Sequence, residues 1–488
     1  MSQQQTTSGL RSWLREIEQF DDELIELEGA HWEKEMGAIA EMVEQELGHE
    51  SPALLFDEVP GYPEGYRTLY NHIGSVKRLA TAVGLPTEYD HILDFVDAFN
   101  EKTTDVEHIP PNTVSDGPLL ENKQTGDDVD LFDIPVPLHH EKDGGRYMGT
   151  AVSVITRDPD NPEWVNYGTY RCQVRNDGEI FLYISPGKHG RLHRDSKFEE
   201  GEPLPVAMVF GQDPNLWLAS CTETETGVSE IEYAGGVRGE AYDVIEGPET
   251  GLPIPADAEI AVEGFVHPGD RDVEGPFGEW MGYYGSGARE EPYMKVEAMY
   301  HRDNPILVCS PPHKPPQETS FYRAIVRSSL LEQELEQAGV PNVEGVWCAQ
   351  PGGSRQFNVV SIKQRYAGHA RQAGYVATQT RAGAYAGRWT VVVDEDIDPS
   401  DLDEVIWAMS TRCDPVSDIE TIDRTWSTPL DPLVTHEDKD APFNSRAVVD
   451  ATIPYERREE FPPVAETSPE YREEVREKWS DQLPLEGV

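Results

Sequence analysis

GTYRCQVRNDGEIFLYIS, residues 168–185, decides the fold of the central region. Two runs of alternating apolar and polar residues flank the Asn-Asp-Gly sequence at 176–178, and such a turn between such runs is a strong β-hairpin signal. More short runs of this type lie between about residues 131 and 308, and their density predicts a β-barrel or sandwich. They are MGTAVSVITRD (148–158), LPVAMVFGQ (204–212), AEIAVEGFVHPGD (258–270) and PYMKVEAMYHR (292–302).

The flanking regions follow other patterns. Apolar residues at helical spacing predict an amphipathic opening helix over residues 8–29, and helical stretches follow near 32–48 and 87–101. The proline-rich CSPPHKPPQETS, 309–320, is typical of a linker. Helical and strand segments then alternate, which predicts an α/β C-terminal domain with a largely parallel sheet. The sequence therefore indicates an α+β multi-domain protein.

The domain boundaries follow from these changes of pattern. The tail is polar and charged, so we expect a mobile segment that ends in a short helix. The expected regions are an N-terminal α/β region at 1–130, the strand-rich domain at 131–308, a linker and connecting helix at 309–340, the C-terminal domain at 341–455 and the charged tail at 456–488.

The charge of the chain excludes several classes of partner. The chain contains 91 Asp and Glu residues but only 40 Lys and Arg, which gives a formal net charge of −51. Nucleic acid and anionic membrane surfaces attract basic proteins, so neither is an expected partner. Acidic residues spread along the whole chain, with lysine scarce, indicate a protein kept soluble in the concentrated salt of a halophilic cytoplasm. The alternative is an ordinary acidic enzyme.

Other compositional features agree with a cytoplasmic location. No window approaches the roughly 18 to 20 apolar residues of a membrane span, and the N-terminus lacks an apolar run of signal-peptide type. The five cysteines are scattered and show no CxxC spacing, which favours reduced thiols over a disulfide framework or a zinc site.

EGPFGEWMGYYG, residues 274–285, contains the strongest candidate for chemistry. Glu274 and Glu279 would face opposite ways on a straight strand, but the glycines and proline between them favour a turn. Two carboxylates in one pocket with an arginine nearby can supply a protonated acid and an ionised partner. The alternative is that both glutamates are solvated, although the neighbouring aromatic residues argue against an exposed surface.

A second group of polar residues suits a metal ion. Asn166, His189 and Glu230 offer an amide oxygen, an imidazole and a carboxylate, which favour a hard divalent ion such as Mn²⁺ or Mg²⁺ over zinc. Spacing alone leaves open that the histidine is a surface residue. The sequence has no dinucleotide fingerprint, P-loop, HExxH or GxSxG motif.

Six sequence blocks, in order and at about the expected distances, resemble the UbiD family of decarboxylases. The resemblance covers about residues 8–450. The blocks are NYGTYR (166–171), VSEIEYAGGVRG (228–239), AEIAVEGFV (258–266), EGPFGEWMGYYG (274–285), VVSIKQRYAGHA (359–370) and DEVIWAMSTRCDP (403–415).

This resemblance implies a fold and a set of cofactors. The fold would be a split β-barrel flavin-binding domain within an α/β N-terminal region, joined by a helix to an α/β C-terminal domain that drives oligomerisation. UbiD enzymes use prenylated FMN, which a separate flavin prenyltransferase makes, with a divalent metal, usually Mn²⁺, and K⁺ nearby. A homodimer or a dimer-based homohexamer would be expected.

The resemblance also implies roles for individual residues. The metal ligands would be Asn166, His189 and Glu230, and the catalytic residues Arg171, Glu274 and Glu279, with Glu279 as the proton donor. The flavin would contact Thr169, Tyr170, Arg171, Leu182, Tyr183, Ile184 and Lys363.

The implied reaction is a non-oxidative, reversible decarboxylation of an aromatic or α,β-unsaturated acid. The ubiquinone-pathway branch usually has aspartate at the position of Glu279, so a quinone precursor is only one possible substrate. Two other functions stay open at this point. The chain could bind a flavin and a metal without catalysis, or it could be a cofactor-free hydrolase that uses two carboxylates.

Overall fold

The structure is a computed structural model that describes residues 9–222, 224–285, 287–435, 442–479 and 482. Its N-terminal part contains four helices and three strands among these residues. In chain order they are α1 (Leu10–Ile17), β1 (Leu24–Glu28), α2 (Glu35–Leu47), β2 (Ala53–Asp57), β3 (Arg67–Tyr70), α3 (Val76–Val83) and α4 (Ile92–Thr103).

The opening helix is shorter than its sequence pattern predicts. α1 buries Leu10, Leu14 and Ile17 on one face and ends there. Leu24 and Leu27 share the helical spacing, but they lie on β1, which pairs in parallel with β2. The prediction of one helix over residues 8–29 is therefore wrong in its second half, because the backbone of that half is hydrogen-bonded into a sheet.

The central region is built from strands, as its sequence pattern predicts. The Asn-Asp-Gly turn joins two antiparallel strands, so the hairpin prediction is confirmed. The elements are β4 (Asn112–Val114), β5 (Asn122–Thr125), β6 (Tyr147–Gly149), β7 (Val152–Arg157), β8 (Val165–Gly168), β9 (Cys172–Asn176), β10 (Glu179–Phe181), α5 (His189–Glu199), β11 (Leu204–Phe210), α6 (Pro214–Cys221), α7 (Glu230–Arg238), β12 (Asp243–Glu246), β13 (Pro253–Pro255), β14 (Ile260–Glu274), β15 (Arg289–His301) and β16 (Ile306–Cys309).

Most of these strands form the split β-barrel. Its nine-stranded sheet has the order β6-β9-β10-β15-β14-β11-β7-β8, with β5 added to β15. Alternate side chains of one strand enter different cores, as the two-residue period of a strand requires. On β11, Val206 and Met208 join one apolar cluster, whereas Ala207 and Val209 join another.

Strand pairing crosses the expected domain boundaries at 130 and 308. β5, before residue 130, belongs to the barrel sheet. β16, at the end of the strand-rich region, instead pairs in parallel with β3 and completes a four-stranded N-terminal sheet. The barrel is thus inserted into the N-terminal α/β unit, because the chain leaves that unit after α4 and returns to it at β16.

The C-terminal domain is a five-stranded sheet with helices on both faces. Its three inner strands are parallel, while each of its two edge strands is antiparallel to its neighbour. The charged tail contains the expected short helix at Pro469–Trp479, and residues 480, 481 and 483–488 lie outside the described residues. The elements are α8 (Glu318–Gln337), β17 (Val343–Cys348), β18 (Phe357–Ile362), α9 (His369–Gln379), α10 (Arg381–Ala384), β19 (Trp389–Asp394), α11 (Leu402–Arg412), β20 (Ile419–Trp426), β21 (Phe443–Asp450) and α12 (Pro469–Trp479).

The start of α8 fixes the proline-rich linker to the 274–285 stretch. Gln317 precedes the helix and forms a capping box with Ser320. The Gln317 amide also donates hydrogen bonds to the backbone oxygens of Trp280 (2.9 Å) and His313 (2.6 Å). The connection between the two domains therefore contacts the loop that carries Glu279.

Candidate active site

Arg171 and the two glutamates of the 274–285 stretch form one buried cluster. Arg171 lies in the turn between β8 and β9, Glu274 is the last residue of β14, and Glu279 lies in the following loop. The Arg171 Nη2 atom is 2.7 Å from Glu274 Oε2, and Nη1 is 2.8 Å from Glu279 Oε1. One planar guanidinium thus holds both carboxylates. The structure brings all three predicted catalytic residues together.

A turn makes this geometry possible. Gly275 has a φ of 85°, in the left-handed region that glycine enters without steric cost. The Glu279 N–H donates to the Tyr283 oxygen (3.0 Å), and the Gly282 N–H donates to the Glu279 oxygen (2.7 Å). A side chain at Gly282 would place its Cβ 2.7 Å from Lys314 Cα. The glycines therefore let the loop fold tightly against the linker.

Burial separates these glutamates from the rest of the acidic surface. Glu274 is 0% exposed and Glu279 is 8% exposed, so neither is a solvated glutamate. Phe277 and Trp280 are buried beside them, whereas Tyr283 is 61% exposed. The sequence argument from aromatic neighbours therefore holds for the first two rings only.

Tyr147 is a contact of the cluster that the sequence did not reveal. Its hydroxyl donates to Glu274 Oε1 at 2.8 Å, and its ring stacks on Phe277 with centroids 3.8 Å apart. Gln173, two residues after Arg171 on β9, accepts a 2.8 Å hydrogen bond from the Gly275 N–H. The only sequence signal is the closeness of Gln173 to Arg171 in the chain, and no motif marks Tyr147.

The charges in the cluster are set by burial and by the carboxylates. Burial lowers the pKa of Arg171, but Glu279 and Glu274 outweigh it, so the pKa lies above its ordinary value. Burial, followed by the Glu274 charge, raises the pKa of Tyr147. Arg171 is therefore a permanent cation and Tyr147 a permanent hydrogen-bond donor over the usable pH range.

The three predicted metal ligands lie on β8, α5 and α7. Glu230 is the first residue of α7, and its Oε2 accepts a 2.7 Å hydrogen bond from the Tyr167 N–H, beside Asn166 on β8. His189 is the first residue of α5 rather than a loop residue, and its ring is 4.9 Å from that of Trp164. The Trp164 indole donates to the Val228 oxygen, two residues before Glu230. Trp164 therefore bridges the two helices.

The chemistry of this group fits a cation. Glu230 is 3% exposed, and burial raises the pKa of its carboxyl to about 7. Asn166 is 2% exposed, and its side-chain amide offers an oxygen as a cation ligand. No cluster of three or more His, Cys, Asp or Glu side chains arranged to hold a metal is present among the described residues. The Asn166 group contains two such side chains and an amide, which is the donor set that the sequence predicts.

Tyr170 and Tyr183, two of the predicted flavin contacts, adjoin the metal group and the Arg171 cluster, respectively. The Thr169 N–H donates to the Ser220 oxygen, and the Tyr170 side chain lies over Gly168 and Gly190, where an added Cβ would contact its ring or hydroxyl. On the other side of Arg171, the ring of Tyr183 is 4.9 Å from the guanidinium. Leu182 and Ile184, which flank Tyr183, are buried.

Lys363 is the exception among the predicted flavin contacts. Its side chain is 58% exposed, and its ammonium is 3.6 Å from Glu395. It follows the carboxyl end of β18, whereas Gly353, before the amino end, approaches Trp280. The length of a six-residue strand, about 20 Å, separates these two edges. The structure therefore does not bring Lys363 together with the other predicted residues of the same chain.

Arg355, a basic residue of the C-terminal domain, reaches the loop that carries Glu279 and Trp280. Its guanidinium is 5.7 Å from the Trp280 ring centroid and 5.0 Å from that of Tyr385. Its Nε and Nη1 atoms are buried without hydrogen-bond partners. No motif marks Arg355 in the sequence, because its position depends on how the two domains pack.

Comparison with known proteins gives the family. Models of the N-terminal, Rift-related and C-terminal domains of 3-octaprenyl-4-hydroxybenzoate carboxy-lyase match residues 16–96, 112–315 and 320–451, respectively. A phenolic acid decarboxylase of Bacillus subtilis is 33% identical over 429 residues, which cover 86% of this chain and 87% of that protein. A pyrrole-2-carboxylic acid decarboxylase of Pseudomonas aeruginosa is 31% identical and covers 92% of each chain.

Solved structures give the same result for the fold. The UbiD-class enzyme HmfF of Pelotomaculum thermopropionicum, in complex with FMN, superposes with a TM-score of 0.82 at 30% identity, covering 97% of this chain and 100% of that one. The open form of Sedimentibacter hydroxybenzoicus vanillic acid decarboxylase superposes with a TM-score of 0.84 at 28% identity, covering 98% and 100%. Within the part of the chain that the structure describes, every helix is too short or too polar to span a membrane. This chain therefore belongs to the UbiD family of carboxy-lyases and is a UbiD-type decarboxylase.

Proposed function

We propose that this chain removes carbon dioxide, without oxidation, from an aromatic or α,β-unsaturated carboxylic acid, using prenylated FMN and a divalent metal. The observation that carries the proposal is that the Arg171 guanidinium donates hydrogen bonds to two buried glutamates, Glu274 and Glu279. The named activities of the relatives, on phenolic acids and on pyrrole-2-carboxylic acid, support an aromatic or heteroaromatic substrate. A quinone precursor of the hydroxybenzoate type belongs to the same class.

The residues present fit both cofactors. Asn166, His189 and Glu230 would hold Mn²⁺ or Mg²⁺, with K⁺ nearby, and the ion would neutralise a carboxylate whose pKa burial has raised. The flavin would lie along the Thr169–Arg171 turn and the Leu182–Ile184 run. When bound, prenylated FMN would accept the electron pair left on the substrate carbon as carbon dioxide departs. A similar structure, an evolved dimeric form of HmfF, contains prFMN.

The protein supplies orientation and a proton. Arg171 would bind the substrate carboxylate and keep Glu274 ionised, so that the proton of the pair rests on Glu279. Glu279 would move aside for, or exchange with, that carboxylate and then pass its proton to the carbon that has lost carbon dioxide. It is left as a carboxylate on Arg171 Nη1 until solvent reprotonates it. Each of these steps is reversible, so carboxylation at high bicarbonate is the same reaction run backwards.

The enzyme would be a cytoplasmic protein of a halophile, supplied with cofactor by a flavin prenyltransferase. It would assemble as a homodimer or a dimer-based homohexamer through the C-terminal domain. Large apolar side chains exposed there, Trp389 (42%), Ile406 (56%) and Trp426 (56%), support this contact. Light scattering at molar KCl tests it, and a monomer would contradict it.

The reaction is tested by loading the cofactor. The chain is expressed with a flavin prenyltransferase and purified in molar KCl, and its visible spectrum is recorded. A panel of phenolic, heteroaromatic and α,β-unsaturated acids is then assayed for carbon dioxide release. We expect a flavin spectrum and turnover of at least one acid. A protein that stays colourless contradicts the use of the cofactor, and carbon dioxide release by that colourless protein would mean a decarboxylation that needs no flavin.

The metal group is tested by Glu230→Ala. We expect this variant to lose bound metal and flavin together, because Glu230 is the only anionic ligand of the predicted set. Elemental analysis and the flavin absorbance of the purified protein measure both. The matched control is Glu225→Ala, an exposed glutamate five residues away, which should retain both groups. Retention of metal and flavin by Glu230→Ala would place the ion elsewhere.

A further inference from the structure

Trp280, the residue after Glu279, is buried against the C-terminal domain. It is 8% exposed. The apolar cluster around it contains one residue of its own loop and three of the C-terminal domain, namely Met281, Tyr385, Ala386 and Leu430. The loop between β14 and β15 therefore reaches across the domain boundary, and Glu279 lies one residue from that crossing.

Three loops of the C-terminal domain meet at Trp280. They carry Gly353, before β18, Ala386, before β19, and Leu430, before β21. These three strands are parallel, so their amino ends lie at the same edge of the sheet. The Arg355 guanidinium, also before β18, is 5.7 Å from the Trp280 ring centroid, which is within the range of a cation–π interaction.

The contact between the loop and the C-terminal domain is too close for an added methyl group. Gly353 has a φ of 61°, and a Cβ added to it would lie 2.5 Å from Trp280 Cε3. A Cβ added to Gly285 would lie 2.3 Å from the Leu430 oxygen. The Trp280 backbone is fixed as well, because its oxygen accepts a 2.9 Å hydrogen bond from Gln317, the residue before α8.

The other two members of the Arg171 cluster are held by the barrel. Arg171 lies between β8 and β9, and Glu274 is the last residue of β14. Phe277 fixes the first part of the loop to the same domain, because it stacks on a tyrosine of β6 with ring centroids 3.8 Å apart. Glu279 therefore lies between an anchor on the barrel, Phe277, and an anchor on the C-terminal domain, Trp280.

We propose that Trp280 is a positioning residue, through which the C-terminal domain holds Glu279 at 2.8 Å from Arg171 Nη1 and within reach of the substrate carbon. This inference rests on the proposed decarboxylation, with Glu279 as the proton donor. The proton passes from Glu279 to the carbon that has lost carbon dioxide, and Trp280 takes no part in the bond changes. The position of the C-terminal domain then decides where the donor stands, whereas the group that binds the substrate carboxylate stays on the barrel.

Trp280→Ala removes the anchor and keeps Glu279. In flavin-loaded protein we expect kcat to fall about 10- to 100-fold, since a misplacement of about 1 Å can cost about 100-fold in rate. KM and flavin affinity should change less than kcat, because Arg171 and the predicted flavin contacts at 169–170 and 182–184 belong to the barrel. Trp280→Phe keeps an aromatic ring in place and should retain most of the wild-type kcat. An unchanged kcat per bound flavin in Trp280→Ala would overturn the proposal.

Gly353→Ala tests the same contact from the C-terminal domain. Its methyl group would meet the Trp280 ring at 2.5 Å, so the ring must move, and kcat should fall although the substitution lies outside the catalytic cluster. The matched control is Gly339→Ala in the same region of the chain. Its φ is 81°, so the backbone strain is similar, but no described atom beyond the neighbouring residues lies within 4 Å of the added Cβ. This control should lower stability and leave kcat per bound flavin unchanged.

The double variant Trp280→Ala, Gly353→Ala decides whether the two positions act through one contact. Because the ring that the new methyl group meets is absent, kcat should be no lower than in Trp280→Ala alone. Losses that multiply would mean that Gly353 affects the reaction by another route, and they would contradict the proposed role of Trp280.

Hydrogen exchange follows the loop without cofactor or substrate. The Glu279 N–H donates to a backbone oxygen of the same loop at 3.0 Å. In flavin-free protein, the amides of 277–285 should exchange about 10-fold faster in Trp280→Ala and Gly353→Ala than in wild type and Gly339→Ala, while the β9–β10 hairpin stays equally protected. Equal exchange in all four proteins would refute the anchor. A wild type that loads flavin but decarboxylates no acid refutes the proposed function instead, and the exchange rates still decide whether Trp280 holds the loop.

Discussion

Glu279→Gln should fold, bind flavin and lose decarboxylation by about 10²–10⁴-fold in kcat, the usual contribution of a positioned general acid. Glutamine has nearly the same shape and can still accept the hydrogen bond from Arg171 Nη1, which is 2.8 Å from Glu279 Oε1. It has no acidic proton to give to the substrate carbon. The measurement is kcat for carbon dioxide release by cofactor-loaded protein, with flavin absorbance used to normalise the active fraction.

The matched control is Glu290→Gln, an exposed glutamate on β15. Both substitutions replace a glutamate by its amide, so a general effect of this exchange on folding in salt appears in both. In deuterated water, the wild-type product should carry one deuterium at the carbon that held the carboxylate. Full turnover in flavin-loaded Glu279→Gln would exclude Glu279 as the donor and would move the acid to another group.

Local sequence chemistry predicted the barrel hairpin and failed at the opening helix. The Asn-Asp-Gly turn specifies its own hairpin, because the turn residues and the two strands are adjacent in the chain. The spacing of Leu24 and Leu27 fits a helix equally well, and only pairing with Ala53–Asp57 makes that segment a strand. A partner about 30 residues away cannot be read from the segment itself.

Some residues of the site could be predicted from local sequence, and others could not. Arg171, Glu274 and Glu279 stand in blocks that resemble a family in register, so their meeting could be expected before their distances were known. Tyr147 meets Glu274 across 127 residues of sequence, with no motif around it. Lys363 also stands in a matching block, yet the direction of β18 places it at the far edge of its sheet. Sequence resemblance thus indicated the residue types, and strand direction decided which of them meet.

Arg171→Met should have the largest effect on stability. It leaves two buried carboxylates without their cation, and removing one partner of a buried ion pair typically lowers the free energy of unfolding by about 3–5 kcal/mol. Activity should fall by about 10²–10³-fold or more, since the group that orients the substrate carboxylate is also lost. Chemical denaturation and carbon dioxide release measure the two effects. Arg175→Met is the control: it lies four residues later on β9 and pairs with the exposed Asp272 at 2.7 Å, so it should change stability by at most about 1 kcal/mol.

The pH dependence of Arg171→Met has a definite sign. Without the guanidinium, burial favours the protonated forms of Glu274 and Glu279, so the folded variant holds protons that the unfolded chain releases. Its stability therefore falls as the pH rises above about 4, the ordinary range of a glutamate. The deficit relative to wild type should be smallest in acid and largest near neutral pH. A deficit that does not change with pH would mean that the loss is one of packing.

The triple variant Arg171→Met, Glu274→Gln, Glu279→Gln separates stability from catalysis. It contains no buried charge at the cluster, and neutral groups of similar volume often replace a buried ion network without loss of stability. We expect it to regain most of the stability that Arg171→Met loses, but none of the activity. If it stays as unstable as the single variant, the ion network is needed to build the turn between β14 and Glu279. If stability returns, the protein holds two carboxylates and an arginine in its core for the reaction and not for the fold.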